Sequence, residues 1–195
     1  IIYTDDGFFD SKQDKARLYN RSTVINEGKT IVGDSLYFDD NTGVAEGFGN
    51  VVYIDTQNKN ELRCGHLNYN KITGYGYATI DALLKDFSQE DTLYLHGDSI
   101  KLYTYDINTD SVYRVVHCFD KVRAYRTDMQ AVCDSLVFSS KDSCLTMYRD
   151  PIVWNAGRQM LGEKIMVFMN DSTVREARVL GQAFSIEQLP DSIHY

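Results

Sequence analysis

The chain has 195 residues, 43% of them hydrophobic, and a net charge of -8 at neutral pH. That length suits one core-bearing domain or one elongated array of repeats. The acidic balance excludes a protein that binds nucleic-acid backbones, which needs a basic field. No basic amphipathic face is present for lipid headgroups, and no stretch is long and apolar enough to cross a bilayer as a helix.

Tyr is common at 14, against one Trp and 2 Pro, and Gly numbers 13. Tyr, Val, Thr and Phe suit a pleated, half-buried surface, while Gly, Asn and Asp supply turns. The chain opens Ile1-Ile2-Tyr3, without Met or a leader-like segment, and is expected to be a mature or trimmed form whose leader has been removed. Cys64, Cys118, Cys133 and Cys144 form no CxxC pair, against zinc-ribbon and thioredoxin-type sites. Buried free thiols are the ordinary expectation, with one disulfide open to an oxidising compartment.

In chain order, residues 1–22 are polar and read as a leading strand or a loose arm. From residue 23 to 187 one phrase recurs. Leu36 sits in GDSLYF, Leu67 in CGHLNY, Ile100 in GDSIKL, Leu136 in CDSLVF and Ile165 in GEKIMV, at intervals of 31, 33, 36 and 29 residues. A second phrase follows each: Gly49-Asn50-Val51-Val52, Asp120-Lys121-Val122-Arg123, Asp150-Pro151-Ile152-Val153 and Gly181-Gln182-Ala183-Phe184, with Thr79-Ile80 a poor fit in the second unit. Within units the period is two, as in Leu36 and Phe38 around Tyr37, or Leu136 and Phe138 around Val137, which predicts strands with one buried face. DDNTG (39–43), DTQNKNE (55–61), YDINTDS (105–111), SSKDS (139–143) and MNDST (169–173) are polar reversals of hairpin size. IDALLKDF (80–87) allows a helix but falls inside the repeat, so it reads as strand. Residues 188–195 form a tail. The result is one all-β domain of about five repeats of roughly 30 residues, none able to bury its apolar face alone.

Catalytic, metal and cofactor chemistry have no signal. Gly74-Tyr75-Gly76 lacks the third glycine of a dinucleotide loop, and residues 39–43 lack the glutamate that closes a calcium loop. His66, His96, His117 and His194 show no metal spacing, and neither GxSxG nor a nucleophilic Cys context occurs.

The recurring phrase, the Gly-Asn-Val strand after it and the stretch SQEDTLYLHGDSI (88–100) resemble the OstA-like periplasmic lipopolysaccharide-transport family, in its Bacteroidetes-type branch. The resemblance covers residues 22–187. It implies a half-open antiparallel β jelly roll, folded over like a taco shell, that carries lipopolysaccharide across the periplasm with acyl chains between its sheets. It also implies partners among related Lpt-type jelly-roll proteins at the inner and outer membranes, and head-to-tail self-association.

On that basis the lipid-facing residues are Leu36, Phe38, Val51, Leu67, Ile100, Leu136, Phe138, Ile152, Trp154 and Ile165. Arg123, Arg126 and Arg149, from an arginine-rich second half, are candidates for headgroup contacts. Read from pattern alone, the same apolar residues fill a closed core, which makes the chain a β-solenoid scaffold or adhesin-like module. Tyr75, Tyr77, Tyr103 and Tyr105 suggest a third function, a carbohydrate-binding jelly roll. With no obvious strand blocks near Val24 and Ile25, and Pro190 after the last repeat, the first end of the sheet is expected to accept another strand.

Overall fold

A computed structural model describes residues 1–155, 157–170 and 173–188. The described residues form β-strands and turns without a helix, and every strand pairing is antiparallel. The segment 80–87 lies largely within a strand, as its position in the repeat predicts.

Six long strands run through the middle: β7 (Val44–Asp55), β8 (Asn60–Asn70), β9 (Tyr75–Asp86), β10 (Leu93–Tyr105), β11 (Tyr113–Arg126) and β12 (Met129–Ser139). Each crosses a crease that divides the sheet into two arms. Shorter strands continue both arms on either side. Arm A runs β1 (Ile2–Tyr3), β4 (Ser22–Asn26), β5 (Lys29–Gly33), one half of each long strand, β14 (Ile152–Asn155), β15 (Arg158–Leu161) and β18 (Phe184–Glu187). Arm B runs β2 (Asp6–Asp10), β3 (Lys15–Tyr19), β6 (Ser35–Asp39), the other halves, β13 (Cys144–Tyr148), β16 (Lys164–Asn170) and β17 (Thr173–Leu180). Among the described residues the first and last strands of each arm pair on one side only, so the sheet is folded over but not closed. Residues 1–22 thus contain three strands and the first residue of a fourth, and β1 covers Val24 through Ile2. The free edge at the first end is therefore β1 and β2, not the Val24–Ile25 strand. Pro190 lies outside the described residues.

The recurring phrases build the crease. On returning strands two successive residues have positive φ: Gly49 and Asn50 (69° and 45°), Ile80 and Asp81 (66° and 54°), Asp120 and Lys121 (61° and 54°), Arg149 and Asp150 (59° and 53°), Gly181 and Gln182 (68° and 44°). They bulge against a shorter stretch of the neighbouring strand, between Phe48 and Val51 opposite β8 and between Phe119 and Val122 opposite β12. A bulge of this kind bends the strand and re-aims it. The facing position is the Asp of the GDS phrase or its equivalent. Asp34 N–H donates to the Gly49 carbonyl at 2.9 Å, and Asn50 Nδ2 donates to Asp34 Oδ2 at 2.8 Å. Arg149 Nη1 donates to Asp134 Oδ2 at 2.9 Å, and Glu163 N–H donates to the Gly181 carbonyl at 3.0 Å. In the second unit Ile80, a β-branched residue at a costly φ, takes the place of a turn residue, and Gly65 faces it; a Cβ at Gly65 meets Ile80 Cβ at 2.7 Å.

Asx side chains close the hairpins. Asp39 Oδ1 accepts from the N–H of Asn41 and Thr42, Asp55 Oδ1 from Gln57 and Asn58, and Asn70 Oδ1 from Ile72 and Thr73. The expected reversals at 39–43, 55–61 and 139–143 lie at hairpins, while part of 169–173 lies outside the described residues. Burial disfavours the Asp55 charge, but the Asn58 N–H and amide, Lys29 and the Gln57 N–H outweigh it and hold the carboxyl below its usual range. A carboxylate with a depressed folded pKa contributes stability above its unfolded pKa, about 4, and loses that contribution as pH falls through the folded value. Asp55→Asn keeps the turn's acceptor but does not titrate. Its urea midpoint is expected to fall less steeply than that of the unmodified chain below about pH 4; equal slopes would refute this role.

Candidate functional site

The inner face of the fold is apolar from one end to the other. Register sets it: Leu36 stands opposite Gly47, Leu67 opposite Ala78, Ala78 opposite Ile100, Ile100 opposite Cys118 and Cys118 opposite Leu136. Across the crease, Val51 opposes Cys64, and Val122 opposes Cys133. Val51, Leu67, Ile100, Leu136 and Ile165 join one buried cluster that draws on both arms.

Burial falls with distance from the crease on part of this face, while Leu95, Ala124, Ala131 and Val167, also in the second rank, stay buried. Leu36, Val51, Leu136 and Ile165 are 0–2% exposed. Two residues further out on the same faces, Phe38, Tyr53, Phe138 and Leu62 are only half-buried, and Tyr69 is 37% exposed. The crease is therefore a packed floor, and the half-buried residues of the outer ranks form an apolar mouth. The sequence pattern points to Phe38 and Phe138 in those ranks but not to Tyr53, Leu62, Leu84, Val116, Leu145 and Met160, which pack against the core while staying half-exposed. Their signal was the alternation itself, followed one step beyond the recurring phrase. Burial, and then the Asp55 carboxylate, push the Tyr53 phenol up to about 12, so it stays a neutral hydroxyl that donates to Asp55 Oδ2 at 3.4 Å.

Of the ten expected lipid-facing residues, eight share this inner face and two do not. Ala131 opposes Val153, which is 1% exposed, so Ile152 and Trp154 point to the outer face of arm A. The crease pair in that unit is Arg149–Asp150, one residue earlier than the Asp150-Pro151 alignment assumed. Pro151, nearly fully buried, takes the place that Val51 holds in the first unit. A slip of one residue turns every side chain to the other face.

The three arginines do not converge. Arg123 opposes His96 on the outer face of arm A, and Arg149 is at the crease with Asp134. Arg126 lies at the rim of arm A on the inner-face register, with Nη2 donating to Asp128 Oδ2 at 2.9 Å. That hydrogen bond raises the Arg126 pKa and lowers that of Asp128.

The tyrosines expected as a sugar platform lie on the outer face of arm B in a cross-strand ribbon. Phe48 stacks on His66 with centroids 4.3 Å apart, Tyr105 stacks on Tyr113 at 4.9 Å, and Tyr75 leans on Tyr103 at 5.2 Å. The stacked pairs turn their faces to each other, which is the packing that stabilises adjacent strands. All four cysteines are free and buried; burial pushes the Cys118 and Cys133 thiols up to about 12, which suits inert core groups.

Both ends of the stack expose apolar edge residues: Ile2 (52%) and Phe9 (66%) at the first, Phe184 (59%) and Ile186 (50%) at the last.

No protein-family profile matches the chain, and no curated protein matches it. Among solved structures it is similar to the crystal structure of LptH, the LptA homologous periplasmic component of the conserved lipopolysaccharide transport device from Pseudomonas aeruginosa. The identity is 16% and the TM-score 0.49, over 83% of this chain and 95% of that one.

Proposed function

We propose that this chain is a non-enzymatic periplasmic carrier or bridge that holds the acyl chains of lipopolysaccharide between its two arms on their way to the outer membrane. The observation that carries the reading is an unbroken apolar inner face, packed at the crease and half-exposed further out at Phe38, Tyr53, Leu62 and Phe138. The sequence resemblance supports it. Acyl chains lie on the outer ranks, with Phe38 and Phe138 as direct contacts. Leu36, Val51, Leu67, Ile100, Leu136 and Ile165 form the floor beneath them. Affinity comes from apolar burial at about 25 cal/mol per Å² and not from attraction to lipid phosphates, which a chain of net charge -8 opposes. Of the three arginines, only Arg126 stands at the mouth, where Asp128 already holds it, so headgroup contact adds little to the affinity.

The edge strands supply the bridge. An unpaired strand accepts another by augmentation, and joining the last edge of one copy to the first edge of the next gives a heterologous contact that grows open chains. Related jelly-roll proteins at the inner and outer membranes fit the same edges. The test is purification from a lipopolysaccharide-producing host, with mass spectrometry of bound lipid and sedimentation over a wide concentration range. Co-purified acylated glycolipid and open-ended association are expected. Absence of lipid overturns the carrier, and a strict monomer or closed two-fold dimer overturns the bridge. The packed crease favours a second reading, a closed-core scaffold, which the lipid-free outcome would select.

A further inference from the structure

Trp154 is the sole tryptophan, and its place on the outer face of arm A has no part in the lipid reading. It lines a pocket of ≈ 380 Å³ at the rim between β12, the β14–β15 hairpin and β18. In register, Gln130, Trp154, Gln159 and Ile186 stand opposite one another on four adjacent strands, so the indole lies between two amides. Each amide brings donors and an acceptor beside the ring. The cations at this rim are already matched: Arg158 Nη2 donates to Glu187 Oε1 at 2.6 Å, and Arg126 is held by Asp128.

We propose that this pocket binds a pyranose sugar, the indole meeting the apolar face of the ring while Gln130 and Gln159 take its hydroxyls. The indole gives a large, flat contact, and the polar side chains around it, Gln130 and Gln159 beside the ring, set orientation. Arginines already paired with carboxylates offer little to an anion, which points away from phosphate and toward a neutral, hydroxyl-rich ligand. The sugar belongs either to a free oligosaccharide or to the glycan part of a glycolipid.

Because Trp154 is the only indole, its fluorescence reports this pocket directly. The unmodified chain is titrated with maltotriose, with deacylated lipopolysaccharide core oligosaccharide and with inorganic phosphate. A saturable emission shift with maltotriose supports a general glycan site; a shift with the core oligosaccharide alone supports the glycolipid source. Calorimetry with the saccharide that binds is expected to show loss of binding in Trp154→Ala, retention in Trp154→Phe and roughly tenfold weakening in Gln159→Leu, a loss of about 1.4 kcal/mol. If Trp154→Ala does not fold, Gln130→Ala at its exposed position decides in its place, with weakened binding expected. A response to phosphate, no saturable response to either saccharide, or unchanged binding in the variants overturns the proposal. None of these probes carries an acyl chain, so failure here leaves the lipid reading standing.

Discussion

Phe138→Asp is expected to leave the chain folded and abolish the proposed capture of acylated glycolipid, whereas Leu136→Asp is expected to unfold it. Both side chains leave β12 on the same face, two residues apart; Leu136 opposes Cys118 and Met147, and Phe138 opposes Val116 and Leu145. Leu136 is 1% exposed, so a carboxylate there is buried without a partner, which no marginally stable domain of this size tolerates. Even Leu136→Ala is expected to cost about 2–5 kcal/mol through lost burial and a residual cavity. Phe138 is half-buried toward the mouth, where an aspartate reaches water and costs less stability. The charge then sits where the proposed acyl chain lies. Circular dichroism and titration with a fluorescent acyl probe separate the two effects. A folded Phe138→Asp that binds like the unmodified chain rules out the inner groove.

Gly97→Ala is expected to destabilise the fold by about 1–3 kcal/mol, although it adds one methyl group in a strand. A Cβ at Gly97 meets Cys118 Sγ at 2.5 Å and the Phe119 carbonyl oxygen at 2.9 Å. Cys118 is 0% exposed, so the sulfur has no space to retreat, and the carbonyl belongs to the bulged backbone at the crease. Cys118→Ala removes the sulfur clash and leaves the carbonyl clash. The double variant is therefore less destabilised than the two single losses added together, with a coupling of about 0.5–3 kcal/mol. Urea unfolding of all four proteins measures this. Simple additivity would show that the crease gives way by backbone movement instead.

The repeat was legible because the crease uses residues that suit its backbone. Gly49-Asn50 and Gly181-Gln182 begin with Gly, and Asp34, Asp98 and Asp134 recur opposite the bulges. Where the backbone made the same turn with Ile80 or Arg149, no residue type announced it, and the units lost their frame. The first lapse made the second unit fit poorly; the second turned Ile152 and Trp154 to the wrong face. The alternation of Leu36 with Phe38 and of Leu136 with Phe138 was legible, since a period of two needs only local sequence. The division into floor and mouth was not, because exposure depends on how far each side chain stands from the opposing arm. The separation of Arg123, Arg126 and Arg149 was equally hidden: it follows from which side of the crease each occupies.

The uniformly apolar character of the inner face has a consequence for anything apolar that lies on it. Neighbouring strands are about 4.8 Å apart, so the floor passes from large side chains such as Leu67 and Ile100 to small ones such as Ala78 and Cys118 while staying apolar at every short step. A hydrocarbon chain shifted by one step exchanges its contacts for others of the same kind, at little net cost. Such a surface behaves as a corrugated rail without a preferred stopping place. On the proposed function it would keep an acyl chain out of water but give it no heading, so direction would have to come from supply at one end and removal at the other.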